Sequence, residues 1–460
     1  MAETALVWFR NDLRVADNPA LFEALSHGRT TIALHVEETG EMVRRRGAAS
    51  RWWLHHSLAS LAGDLSTLGV ALETVRGPAE ECVAAAVRRH GATAVYWNRR
   101  YGPSERVTDQ AIKTALRAAG TTVQSFAANV LVEPFEMETG AGKPYSVYTP
   151  FWKTLRQRDI PTPLGRPDGL APIAAPGVDA DYREPEWGRK IGRHWQIGEP
   201  AARSRLDRFL EDLVADYPNE RDIPAREATS RLSPHLAFGE ISPRQVWHAA
   251  MAIAHHAPGK AASIDKFLSE LAWRDFNYNQ LYHREDIARV PMVAKYAHLE
   301  WRGDEAALEA WTRGRTGIPI VDAGMRELWE TGTMHNRVRM LTASLLAKNL
   351  LIDWRRGEEW FWDTLVDADP ANNPGNWQWV AGSGLDASPY FRIFNPVTQG
   401  ERFDPHGDYV RRWVPEVARL PDHLVHQPWQ APEARRLGYP APIVDLKASR
   451  ERALEAFKAL

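Results

Sequence analysis

"ALVWFRNDLRVADNP", residues 5–19, sets the class of the first domain. Its opening run ALVWF is short and apolar, and four similar runs follow: TIALHV (31–36), VALETV (70–75), ATAVYW (92–97) and TTVQSF (121–126). Helical stretches such as SRWWLHHSLASLAGDL (50–65) and AEECVAAAVRRHG (79–91) lie between them, the second closing on a glycine. This alternation predicts an α/β N-terminal domain with a parallel five-stranded, Rossmann-like sheet wrapped by helices. Where a dinucleotide-binding fold would carry G-x-G-x-x-G after the first strand, this chain has RNDLRVADNP, so an ordinary dinucleotide site is not expected there. A Walker-type lysine loop, H-E-x-x-H and G-x-S-x-G are absent from the sequence as well.

Residues 130–200 are rich in Pro and Gly, as in RDIPTPLGRPDGLAPIAAPG (158–177), and read as a surface connector with a short helix around TPFWKTLRQ (149–157). Beyond residue 200 the apolar period is helical, in SRLDRFLEDLVADY (204–217), SIDKFLSELAWRDFNYNQLY (263–282) and NRVRMLTASLLAKNLLIDW (336–354). The expected domains are therefore 1–130 (α/β), 131–199 (linker) and 200–460 (all-α). A chain of 460 residues is long enough for two cores.

The 44% hydrophobic and 25% charged fractions are those of a soluble globular protein, which excludes disordered and fibrous classes. The single cysteine, Cys82, excludes an internal disulfide and a zinc cluster and suits a reducing compartment; it reads as a small core residue of a helix. With no signal segment and no membrane-length apolar run, the expected location is the cytoplasm. A formal net charge of −2 supplies no general attraction to nucleic acid, so DNA binding would need a local basic patch. The 19 Trp are far above ordinary usage; beyond packing, an indole is a stacking surface and a one-electron donor.

Several clusters carry chemistry. Glu270, Trp273, Arg274 and Asn277 recur at helical spacing on one face, suited to clamping a flat polar ligand, although a surface Glu–Arg pair is the plainer reading. In MHNRVRM (334–340), Asn336, Arg339 and Met340 share a face while Arg337 points elsewhere, which suits one arginine for an internal carboxylate and one for phosphate. VDADPANNPGNWQW (366–379) reads as a turn with Asp367 and Asp369, either capping it or binding a cation, for which the remaining ligands of a calcium loop are missing. Thr229, Ser230 and Ser233 surround a helix start able to hold phosphate.

In this order the motifs WFRNDLRVADNPAL (8–21), TSRLSPHLAFGEISPRQ (229–245), ELAWRDF (270–276), GIPIVDAGMREL (317–328), MHNRVRM, LLIDWRRGE (350–358), NWQW (376–379) and SPYFRIFNPVTQGERFDP (388–405) resemble the photolyase/cryptochrome family over nearly the whole chain. The resemblance implies an antenna α/β domain, a linker and a helical FAD-binding domain, and light-driven splitting of cyclobutane pyrimidine dimers in DNA by a bacterial-type enzyme acting as a monomer. It implies FAD contacts at Tyr217, Thr229, Ser230, Arg231, Leu232, Ser233, Glu270, Asn336, Arg339, Asp367, Ala368, Asp369 and Asn373. Asp367 would pair with Arg339, and the Asn373 amide would face flavin N5.

Further roles follow from the same resemblance. Glu270, Trp273, Asn336, Met340 and Trp379 match the pocket for a flipped dimer, with Glu270 and Asn336 as catalytic groups. Arg221, Arg274, Arg337, Arg392 and Gln399 match DNA-facing positions, to which Asn277 is added from the shared helix face. Trp377, Trp354 and Trp301 match an electron-transfer chain. Glu105, in YGPSERVTD (101–109), matches an antenna position of folate-binding relatives. The expected antenna is methenyltetrahydrofolate, with a deazaflavin, another flavin or none as alternatives. Thr333, before MHN, and Pro374, after Asn373, depart from the commonest pattern. A cryptochrome-type photoreceptor and a (6-4) photolyase are the competing functions; the second would call for a histidine-rich pocket, to which only His335 points.

Overall fold

The computed structural model describes residues 3–26, 28–40, 43–179, 182–284, 286–386, 392–432, 436 and 438–460. Five strands, β1 (Thr4–Phe9), β2 (Thr30–Glu38), β3 (Ala71–Gly77), β4 (Ala94–Asn98) and β5 (Thr122–Phe126), form one parallel sheet in the order β3-β2-β1-β4-β5. Helices α1 (Pro19–Ser26), α2 (Ala48–Ser66), α3 (Ala79–His90) and α4 (Pro103–Ala118) connect them. The continuous apolar run of β1 has a simple cause. Ala5, Val7 and Phe9 are as buried as Leu6 and Trp8, so both faces of the central strand are covered, and a strand of this kind cannot alternate. Leu6 and Trp8 pack with Val83 and Ala86 of α3 and Ile112 and Leu116 of α4, while half-buried Cys82 lies against the same core.

The strand order reverses between β1 and β4, where open α/β sheets leave a crevice for ligands. Here the loop after β1 places charged side chains instead of glycines. Arg10 donates to Asp109 (3.2 and 3.3 Å) and to the Asn98 carbonyl, and Arg100 pairs with Glu38 and with Asp109 (2.9 Å). Farther along the loop, Asp17 sits at φ 51° and is fully buried. Its carboxylate accepts from Arg244 (2.8 and 3.2 Å), Ser242 Oγ (2.5 Å) and the Leu164 amide (2.9 Å), and its carbonyl accepts from Arg14 (2.8 and 3.1 Å). Arg14 also donates to the carbonyls of Gly239 (2.9 Å) and Ala128 (3.0 Å). Gly239 has φ +69°, and a Cβ there would lie 2.0 Å from the Asn11 carbonyl oxygen, so only glycine permits the approach.

These ties draw part of the helical sequence onto the sheet. Contacts divide the chain into a first unit, Met1–Gly188, Trp195–Ala215 and Ser230–Glu285, and a second, Arg189–His194, Asp216–Thr229 and Asp286–Leu460. That division differs from a boundary at 199/200, because hydrogen bonds from residues 14 and 17 reach residues 239–244. Within the connector, the helix expected around TPFWKTLRQ is present as Tyr148–Leu155. In the second unit the helices Pro319–Thr331, Asn336–Ser344, Trp354–Thr364 and Asn372–Ala381 share a core that includes Leu328, Val338, Leu341, Phe361 and Trp377. NNPGNWQW is therefore helical rather than a turn. Its proline falls in the first turn, where the missing N–H has no intrahelical partner to lose, and Gly382 (φ 90°) ends the helix.

Asp17→Asn removes the buried counter-charge of Arg244 while keeping a residue that tolerates positive φ. Urea unfolding should show a loss of about 3–5 kcal/mol. A loss below about 1 kcal/mol, the range of an exposed pair, would remove this ion pair from the structural role given to it.

Candidate functional site

In the second unit the polar groups gather around two helix starts. His335 caps the helix Asn336–Ser344: its Nδ1 accepts from the Arg337 amide (3.2 Å), which places the ring proton on Nε2. Its own amide donates to Glu327 Oε2 (3.2 Å), which also accepts from Tyr409 (2.5 Å). Burial pushes the imidazole down to about 4, so it is neutral at ordinary pH. From this cap project exposed Asn336, half-buried Met340 and the two arginines.

Arg339 Nε donates to the Met334 carbonyl (2.8 Å), and its Nη2 reaches Asp367 (2.9 and 3.2 Å) and Thr333 Oγ1 (3.1 Å). The expected Arg339–Asp367 pair is thus formed, with the threonine that departs from the family pattern as a third partner. Asp369 is committed locally: its Oδ1 accepts from the amides of Ala371 and Asn372 (2.8 Å each) and from the Asn372 side chain (2.9 Å). It therefore caps the start of Asn372–Ala381. Among the described residues no group of three His, Cys, Asp or Glu is placed to hold a metal. Ala368 lies between these carboxylates and is buried.

Asn373 is nearly buried, and its Nδ2 donates twice, to the Glu358 carbonyl (3.0 Å) and to Glu358 Oε1 (2.9 Å). Both partners are acceptors, which fixes the amide orientation, and no described residue donates to Oδ1. Glu358 escaped the sequence reading. The available signal was its spacing, four residues after Trp354 and three before Phe361, which puts it on a buried helix face. Gln378 is a second such residue: fully buried between Trp377 and Trp379, it donates to the carbonyls of Ile287 (2.7 Å) and Val290 (2.9 Å) and accepts from the Met292 amide (2.7 Å).

Trp354 and Trp377 are buried and Trp301 is half-buried. Trp377 meets Phe361 edge-on (5.0 Å, 71°) and Trp311 (6.1 Å, 66°), and a Cβ on Gly357 would lie 2.2 Å from its ring. Half-buried Trp379 and Met340 pack against the same core. Arg337 is held by Asp222 (2.6 Å) and lies over Phe403 at 4.3 Å, while Arg221 covers Tyr217 at 5.2 Å. Arg392 is exposed and Gln399 half-buried; Ser388 to Phe391 of the SPYFR motif lie outside the described residues. Thr229 closes the segment Asp216–Thr229 and is half-buried.

In the first unit Arg231 has φ 51° and stacks over Trp195 at 4.3 Å; Ser230 Oγ accepts from the Leu232 amide (3.4 Å), Leu232 is buried and Ser233 opens Ser233–Phe238. On the helix Ala261–His283, Glu270 pairs with Lys266 (2.8 Å) and Trp273 stacks flat on Tyr148 (3.7 Å, 9°). Arg274 and Asn277, expected to face DNA, both have partners or cover within the first unit. Arg274 is only 11% exposed, donating to the Asn129 (2.6 Å) and Leu236 (3.4 Å) carbonyls and lying over Tyr278, and Asn277 is buried. Glu105 accepts from the Gly102 amide (3.0 Å), a capping role that accounts for its position at the start of α4.

Residues 5–168 match a family model described as DNA photolyase, and residues 267–459 one described as the FAD binding domain of DNA photolyase. The chain is 47% identical to a deoxyribodipyrimidine photo-lyase of Agrobacterium fabrum, over 99% of this chain and 98% of that protein. It is 38% identical to cryptochrome-1 of Arabidopsis thaliana, over 99% of this chain and 70% of that protein. Among solved structures, a bacterial class III photolyase from Agrobacterium tumefaciens superposes with TM-score 0.94 at 46% identity, covering 100% of this chain and 98% of its own. An archaeal photolyase from Sulfolobus tokodaii, solved with two FAD molecules, gives 0.84 at 30% identity, covering 99% and 100%.

The neutral cap yields a pH prediction. Protonation of His335, about 4 when folded against 6.5 as the ordinary value, favours the unfolded chain. Its contribution is complete above the ordinary value and is lost as pH falls toward the folded one, by about 3 kcal/mol at most. H335N keeps a capping acceptor that does not titrate. Its unfolding midpoint should fall less than that of the native chain across this window, and parallel declines would show that His335 is not the group being protonated.

Proposed function

The chain belongs to the DNA photolyase family, and on that premise we propose that it is a deoxyribodipyrimidine photo-lyase that binds FAD noncovalently and splits cyclobutane pyrimidine dimers in DNA under light. The observation that carries this reading is the Asn373 amide. Both of its donors are spent on Glu358, which leaves an uncharged acceptor, the group suited to the protonated N5 of a reduced flavin. Asp367 and Arg339 neutralise one another beside it in sequence, so they add no net charge to the flavin's surroundings. When bound, the flavin supplies the light-driven one-electron chemistry, and the protein's task is binding, orientation and electrostatics.

The other roles are assigned from the family pattern. Tyr217, Thr229 to Ser233, Asn336, Ala368 and Asp369 are proposed as further cofactor contacts, and Glu270, Trp273, Asn336, Met340 and Trp379 as readers of the flipped dimer. Arg221, Arg337, Arg392 and Gln399 are proposed to meet the DNA backbone, Arg337 by exchanging Asp222 for phosphate. The proposed antenna is methenyltetrahydrofolate; a second flavin is the alternative, favoured by the two FAD molecules of the Sulfolobus tokodaii protein. The spectrum of the chromophores released from the purified protein separates the two.

A (6-4) photolyase would call for a histidine-rich pocket. His335 is neutral, half-buried and occupied at Nδ1, which counts against that reading. The similarity to cryptochrome-1 favours a photoreceptor as the second reading. Illumination of the reduced, flavin-loaded protein with dimer-containing DNA decides between them: loss of dimers is expected, and full flavin occupancy with no dimer loss would overturn the repair assignment in favour of signalling.

Trp377→Phe separates photoreduction from repair. It keeps an aromatic ring but a smaller one, so stability should fall by about 1–3 kcal/mol, and it removes the readily oxidised indole. Under blue light with an external donor the flavin absorbance should stay that of the oxidised form, while dimer loss after dithionite reduction stays near that of the native chain. Normal photoreduction would take Trp377 out of the electron path, and abolished repair in the reduced, folded protein would place the indole at the substrate.

A further inference from the structure

The helix Asn336–Ser344 runs into a wider turn, Leu345–Asn349, closed by a bond from the Leu350 amide to the Leu345 carbonyl (2.9 Å). Ser344 and Lys348 are four residues apart and project to one side of it. Both are buried, at 0% and 3% exposure. Ser344 Oγ accepts from the Phe394 amide (3.3 Å), and Lys348 Nζ donates to the Arg392 carbonyl. A lysine is almost never this buried without a partner that justifies it. Burial, with the Arg392 guanidinium nearby, pushes its amine down to about 7.

The held segment leads directly into surface groups. Asn395 caps the helix Pro396–Phe403 by accepting from the amides of Val397 (3.0 Å) and Thr398 (3.4 Å). That helix carries Gln399 and ends at Phe403, over which Arg337 lies. The Arg392 side chain itself is exposed. A backbone held at two points by buried groups, bearing an exposed arginine, is an arrangement that lowers the ordering cost of a phosphate contact.

We infer that Ser344 and Lys348 form a two-point clamp on the backbone of residues 392–394, and that they act in DNA binding as positioning residues for Arg392 without touching DNA themselves. The inference rests on the reading of this protein as a DNA-binding photolyase. It adds that a buried amine and hydroxyl holding the backbone set how a surface arginine meets phosphate, so substitutions there weaken binding through Arg392 alone.

The test measures binding of the FAD-loaded protein to a duplex with one thymine dimer and to the same duplex undamaged, over a range of salt. R392A should weaken both and lower the salt slope by about one unit. K348M and S344A should each weaken both in the same direction, with flavin content retained, and the double variant K348M/R392A should bind no more weakly than R392A. S344A, a smaller change, carries the test if K348M does not fold. Additive losses in the double variant, or native binding by S344A and K348M alongside weakened binding by R392A, would overturn the clamp. Native binding by R392A would instead sink the DNA-facing reading of that arginine, and the clamp with it.

Discussion

A charge removed from water must find a counter-charge or a set of dipoles, and this constraint shapes both units. In the first, Asp17 is buried at a backbone angle few side chains accept, and it is stable there because Arg244, Ser242 and the Leu164 amide meet its carboxylate. Arg14 meets the same residue from its carbonyl side and extends the lattice to Gly239 and Ala128. The loop after β1 is thus committed to structure. Its charged groups stand where other sheets of this topology open a cofactor crevice, which explains why the first strand lacks a glycine-rich sequel.

In the second unit the same constraint gives each of these polar groups a partner. Arg339 is matched by Asp367, Asp369 by backbone amides and Asn373 by Glu358. His335 is kept neutral by burial and serves as a cap rather than an acid.

The tryptophans divide along similar lines. Trp377 is confined by Phe361, Trp311 and the absent side chain of Gly357, while Gln378 beside it fastens residues 287–292. Aromatic packing therefore doubles as placement: an indole locked among rings in a dense core has one position. The clamp beneath Arg392 repeats the pattern with polar groups, since buried donors and acceptors tolerate only the geometry that satisfies them.

The sequence by itself determined the parallel sheet, because a strand covered on both faces must be apolar throughout and β1 is. It also determined the helical remainder through its period, the connector helix at Tyr148–Leu155, and the family, since many motifs recur in one order along the chain. The Arg339–Asp367 pair was legible only through the family resemblance. Tertiary structure alone decided the rest. NNPGNWQW contains every signal of a turn, yet it is helical because Asp369 supplies its cap and a core receives Trp377. Arg274 shares a helix face with Glu270, but carbonyls at residues 129 and 236 turn it inward. Glu358, Gln378 and Lys348 acquire their roles from partners 15, 86 to 91 and 44 residues away. Period and composition report which face of an element is buried, whereas the partner of a buried polar group is set by which distant backbone folds against it, and no local pattern encodes that.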